Sequence, residues 1–98
     1  MIKTFKHKWL KEFFIEDKIH KKIPADIDNR LFRKLQLIDD AKTDQDLRVP
    51  PSNHFEKLSG NLEGKYSIRV NRQWRLIFCW DSGSGEALEL YLDNHSYR

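Results

Sequence analysis

Lys65-Tyr66-Ser67-Ile68-Arg69-Val70-Asn71-Arg72-Gln73-Trp74-Arg75-Leu76-Ile77-Phe78-Cys79-Trp80 is the stretch that decides the fold. Tyr66, Ile68 and Val70 alternate with Lys65, Ser67, Arg69 and Asn71. After Asn71-Arg72 the alternation resumes, with Trp74, Leu76, Phe78 and Trp80 set against Gln73, Arg75, Ile77 and Cys79. Side chains on a strand point to opposite faces in turn, so a period of two predicts strands over 65–71 and 73–80. Asn71-Arg72 predicts a tight antiparallel turn between them.

Toward the C-terminus, Asp81-Ser82-Gly83-Ser84-Gly85 reads as the next turn and 86–93 as a third strand. Simple alternation puts Leu88, Leu90 and Leu92 on one side and Glu89, Tyr91 and Asp93 on the other. Toward the N-terminus, residues 42–64 read mostly as connection, because Pro50-Pro51 excludes helix there and Gly60 and Gly64 mark turns. A loop of that length in a small domain is often functional. Ile27, Leu31, Leu35 and Ile38 recur at helical spacing and predict one apolar helix face between Pro24 and about Ala41. Pro24 suits a first turn, where its missing N–H costs nothing, and Asp26 and Asp28 complement the helix dipole. Trp9, Leu10, Phe13 and Phe14 form a similar stripe over 8–17. Ile2 and Phe5 suggest a short strand over 1–6.

The expected fold class is α+β in the order β-α-α-β-β-β, one domain over residues 1–98, with both helices on one face of a mainly antiparallel sheet. Strand parity then has a chemical consequence. If Trp74, Leu76 and Phe78 face the helices, then Arg69, Arg75, Tyr91 and Asp93 project from the opposite face. Two arginines, an aromatic ring and a carboxylate on one sheet face can hold a phosphate backbone and stack a base.

The composition agrees. Hydrophobic residues make up 39% of the 98 and charged residues 34%, which suits a folded domain with a solvated surface. No apolar run is long enough to span a bilayer and no secretory leader is evident, so a cytoplasmic location is expected. Cys79 is the single cysteine, and no His/Cys set has zinc-site spacing. The net charge is +3, and residues 1–22 carry seven lysines against Glu12, Glu16 and Asp17. Such a balance favours RNA or an acidic partner, although a charge run alone equally describes a solvated helix face.

Residues 64–80, from Gly64-Lys65-Tyr66-Ser67-Ile68-Arg69 through Asn71-Arg72-Gln73-Trp74-Arg75 to Phe78, closely resemble the central signature of HigB-type toxins of the RelE/ParE superfamily, the plasmid-maintenance killer proteins. Met1-Ile2-Lys3-Thr4-Phe5-Lys6-His7-Lys8 is similar to that family's opening. Leu47-Arg48-Val49-Pro50-Pro51-Ser52-Asn53 resembles its middle loop, and Asp93-Asn94-His95 its closing Asp-Tyr-His. The resemblance implies a RelE-like fold with the active site on the face opposite the helices. It implies ribosome-dependent endoribonuclease activity toward messenger RNA in the A site, without metal or other cofactor. It also implies neutralisation by a HigA-like helix-turn-helix antitoxin, through which alone operator DNA is reached.

RNA cleavage of this kind needs a base for the 2′-OH proton, a cation for the phosphate and an acid for the 5′-oxygen. Arg75 occupies the place of the family's functional arginine, and its guanidinium can grip two phosphate oxygens at once. Its structural alternative is an ion pair on a strand. His95 is the candidate for proton transfer and Asp93 the group that orients the cluster; as isolated residues they read as a terminal histidine and a strand-end carboxylate. Two places depart from the family pattern. Asn94 replaces the closing tyrosine, with Tyr97 nearby in sequence. Glu56 and Ser59 stand where some members have the His and Lys of His-x-x-Lys-Gly, which makes Glu56 a candidate base and brings in His54 and Lys57 as candidate RNA contacts. Arg69, Tyr91 and Tyr97 complete the expected RNA-binding set. Trp74 and Trp80 read as core. The alternative function is a non-catalytic RelE-fold binder or co-repressor, acting through the antitoxin or the ribosome, and it needs the basic face but not His95.

Overall fold

The computed structural model describes residues 1–94. Three helices precede a four-stranded sheet: α1 (Lys8–Glu16), α2 (Asp28–Asp40), α3 (Asp44–Arg48), β1 (Glu56–Lys57), β2 (Lys65–Arg69), β3 (Trp74–Asp81) and β4 (Glu86–Asn94). The strands lie in sequence order and each neighbouring pair is antiparallel. The chain is therefore α+β, with the helices first.

The predicted helical stripes form the core. Leu10 and Phe13 of α1, and Leu31, Leu35 and Ile38 of α2, pack with Ile68, Leu76, Phe78, Leu90 and Leu92. Leu31, Leu35 and Ile38 have no exposed surface, and full burial of such a side chain contributes about 1.5–3 kcal/mol. Pro24 precedes a 3-10 turn, Ala25–Ile27, and α2 begins only at Asp28.

Three local expectations change. The segment at 1–6 is not a continuous strand. It makes two isolated parallel bridges to β4, Ile2 with Ala87 and Phe5 with Leu90. Between them Thr4 Oγ1 accepts the Glu89 N–H at 2.8 Å in place of a ladder bond. The cause is a bulge in β4, where Glu89 has a φ of +53°. Ile77 pairs with Tyr91 but Cys79 pairs with Leu88, so β4 carries one extra residue. Leu88 therefore shares a face with Cys79, while Ala87, Leu90 and Leu92 occupy the core side. Finally, the connection at 42–64 is partly ordered. Thr43 and Asp46 form a reciprocal capping box that starts α3, and β1 adds a short edge to β2.

The N-terminus is anchored beside the last turn. The Met1 amino group donates to Gly85 O at 2.9 Å, and Ile2 N–H to Asp39 Oδ1 at 2.9 Å. Gly85 has a φ of +70°, and a Cβ there would meet Lys42 O at 2.7 Å, so only glycine fits.

Candidate active site

Strand pairing aligns the candidate residues in two rows on the face away from the helices. Glu56, Ser67, Ile77 and Tyr91 stand abreast, one from each strand, and Arg69, Arg75 and Asp93 form the next row. Directly paired residues point to the same side of a sheet, which is why these side chains converge.

The second row is the more informative. Arg75 donates Nε to Asp93 Oδ2 at 3.0 Å, with Arg75 19% and Asp93 32% exposed. That contact uses the inner nitrogen of the guanidinium and leaves its terminal fork for another acceptor. Arg69 donates Nε to Asn71 O at 3.2 Å, and its Nη1 lies 3.5 Å from His54 Nε2. For Nε2 to accept this bond, His54 must be neutral and carry its proton on Nδ1. Four cationic or basic groups, His54, Arg69, Arg72 and Arg75, thus surround a recess of about 70 Å³, with Glu56 and Ser67 on its wall.

His54 reaches this place because its loop is tied to α2. It follows a 3-10 turn, Pro51–Asn53, in left-handed conformation with φ +47°. Asn53 is fully buried and supplies the anchor. Its Nδ2 donates to Leu47 O at 3.2 Å and Val49 O at 3.0 Å, while its Oδ1 accepts from Lys34 Nζ at 2.5 Å. Phe55, next in sequence, stacks on Tyr66 with ring centroids 5.2 Å apart.

Tyr91 lies half-buried at the far end of the first row. Lys6 Nζ sits 4.6 Å from its ring centroid, and His7 meets it edge-on at 6.4 Å. Burial, and after it the Asp93 carboxylate, push the Tyr91 phenol above its ordinary value. Cys79 accepts from Lys65 Nζ at 3.6 Å on the same face.

Of the residues expected from sequence, Arg69, Arg75, Asp93, Tyr91, Glu56 and His54 are brought together here. Lys57 is not: it pairs with Tyr66, which pairs with Phe78, so its position belongs to the helix side of the sheet. His95 and Tyr97 lie outside the described residues. Trp74 is half-buried, packing on the core while edging the recess. Sequence reasoning missed Ser67, Arg72, Lys6 and His7. Ser67 was available from its parity with Arg69. Lys6 and His7 come near Tyr91 only through the bridges between the N-terminal segment and β4.

Residues 3–95 match the family described as the RelE-like toxin of the type II toxin-antitoxin system HigB. Toxin HigB-1 of Vibrio cholerae serotype O1 is 55% identical over 97 residues, covering 99% of this chain and 100% of that one. Endoribonuclease HigB of Proteus vulgaris is 37% identical over 95 residues, covering 97% and 100%. A heterotetrameric YoeB-YefM toxin-antitoxin complex from Staphylococcus aureus contains a chain of similar fold, with a TM-score of 0.51 at 16% identity, covering 100% of this chain and 98% of that one.

Proposed function

Since the chain belongs to the HigB-like family of RelE-like type II toxins, we propose that it is a ribosome-dependent endoribonuclease that cuts translated messages in the A site. In the same reading a HigA-like helix-turn-helix antitoxin neutralises it, and operator DNA is reached only through that complex. The endoribonuclease name of the Proteus vulgaris relative supports the activity. The observation that carries the reading is Arg75, half-buried, braced by Asp93 and flanked by Arg69 on the sheet face opposite the core side chains Leu76 and Phe78.

In this reading the message's own 2′-OH cuts the chain. The terminal nitrogens of Arg75 take two oxygens of the scissile phosphate, and Arg69 adds charge beside them. Glu56 stands at the recess and removes the 2′-OH proton. The 2′-oxygen bonds to phosphorus, the bond from phosphorus to the 5′-oxygen breaks, and an acid protonates the departing oxygen. His95 fills that last role, since imidazole exchanges protons near neutral pH. The products are a 2′,3′-cyclic phosphate and a free 5′-OH. Charge on the phosphorane is stabilised by fixed guanidinium groups, so this route uses no metal. Tyr91 offers a ring face for a neighbouring base, and His54 a polar contact to the backbone.

The test is to incubate the purified protein with ribosomes programmed with a defined message and to map the new RNA ends. Cuts confined to the A-site codon, absent without ribosomes and absent after antitoxin is added, are expected. Intact message alongside arrested translation would instead show a non-catalytic ribosome binder.

A further inference from the structure

A second and larger cleft adjoins the recess on the α2 side. It encloses about 710 Å³ against about 70 Å³ for the recess. Among the described residues, Arg30, Arg33 and Lys34 enter it from α2, Arg69 from the end of β2 and Arg72 from the β2–β3 connection, with no carboxylate in its lining. On α2 the three cations sit at i, i+3 and i+4, a spacing that brings them to one side of the helix. The apolar stripe of Leu31, Leu35 and Ile38 packs into the core instead. Among the described residues, none of these five cations takes part in an ion pair. Concentrated positive charge of this kind, left without internal counter-charge, attracts a polyanion.

We propose that this cleft is a second RNA-backbone site, holding message phosphates on one side of the scissile one. Its continuity with the recess carries the choice of occupant. His54, Arg69, Asn71 and Arg72 line both, so a strand whose phosphate sits at Arg75 passes directly from one to the other. The lining suits phosphate better than a protein surface: guanidinium groups offer planar forks, whereas the only apolar side chains are Leu37 and Val70. Burial, followed by the fields of Arg30 and Arg33, lowers the pKa of Lys34, as expected where like charges crowd without relief. The choice of RNA as occupant rests on the endoribonuclease reading above, but binding can be measured without cleavage.

The test uses two uncleavable 2′-O-methyl RNAs, of roughly 4 and roughly 12 nucleotides, a range matching single-strand site sizes. Binding is followed by fluorescence anisotropy across a salt series. The wild-type protein is expected to bind the longer RNA more tightly and with the steeper salt dependence. Arg30 and Arg33 are exposed and outside the recess, so Arg30→Gln/Arg33→Gln is the variant of choice. It should lower the salt slope for the longer RNA by about 1.4, from about 0.7 per lost phosphate contact, and weaken it about tenfold or more at roughly 0.1 M salt. The shorter RNA should be unaffected. Arg30→Lys/Arg33→Lys should keep most of the slope, and either single Gln variant should lose about half of it.

Equal weakening of both RNAs, no weakening in the folded variant, or wild-type protein that binds the two alike would each overturn the proposal. Poly-L-glutamate of matched charge serves as the protein-like probe. If the Gln variant loses poly-L-glutamate but keeps the longer RNA, the cleft serves an acidic protein instead. Uncut message on ribosomes, with the length-dependent RNA binding and its loss as expected, sinks the cleavage reading and leaves the cleft standing. The opposite pattern sinks only the cleft.

Discussion

Arg75 and Asp93 face one another across β3 and β4, and the bond from Arg75 Nε to Asp93 Oδ2 at 3.0 Å decides how the arginine can act. A guanidinium held by its inner nitrogen is biased toward one orientation, and Arg69, its partner across β2 and β3, stands on the same side of the sheet. Partial exposure keeps the pair a modest stabiliser, below about 1 kcal/mol. Its value lies in orientation.

Arg75→Ala should therefore fold normally and lose cleavage by roughly one to three orders of magnitude, the scale for removing a preorganised charge stabiliser. Arg75→Lys should recover only part, because a point charge cannot replace the fork. Single-turnover cleavage on programmed ribosomes, with melting as the control for fold, measures both. Wild-type rates in folded Arg75→Ala would transfer the clamp to Arg69.

Proton transfer is tested at two places. Glu56→Gln should slow cleavage by roughly two to four orders of magnitude, the usual worth of a positioned base. Removing residues 95–98 leaves β4, which ends at Asn94, in place. That truncation, like His95→Gln, should preserve melting and antitoxin binding yet abolish cleavage. Full activity in the truncated protein would move the proton-transfer role to the loop at 54–59, with His54 the next residue to test.

Asn53→Ala should destabilise the fold by about 1–3 kcal/mol, because Lys34 Nζ and the Leu47 and Val49 carbonyls lose their partner in a buried place. Cleavage should fall further than stability explains, since His54 is the next residue and loses its fixed position. Urea unfolding and ribosome-dependent cleavage separate the two effects. Unchanged unfolding would show that the loop is held by other contacts.

Tyr91 provides the pH dependence. Its phenol is raised above the ordinary value of 10.0, first by burial and then by Asp93. Above that ordinary value the unfolded chain releases the proton while the folded chain still holds it. The folded state then binds more protons, so stability declines as pH rises, and below the ordinary value this group changes nothing. Melting temperature from about pH 9 to about pH 11 should fall less steeply in Tyr91→Phe than in wild type. Parallel curves for the two proteins would count against a buried phenol.

Much of the fold and half of the site are local properties of the chain. The alternation across 65–80 determines that Arg69, Ser67 and Arg75 share a face, because pleating alternates side chains within each strand and the apolar set of both strands takes the core side. The stripe from Ile27 to Ile38 determines the buried side of α2 in the same way. Tertiary structure alone decided the remainder. Alternation assigned Leu88 to the core, yet the bulge at Glu89 gives that place to Ala87, and no glycine marks the positive φ in the sequence. Edge pairing of β1 put Glu56 and Lys57 on opposite sides of the sheet. His54 enters the recess because Lys34, far earlier in the chain, holds Asn53. The cleft shared by Arg30, Arg33 and Arg72 joins residues of a helix to those of a strand connection. Such contacts are made by packing between distant segments, and no period or spacing in the sequence records them.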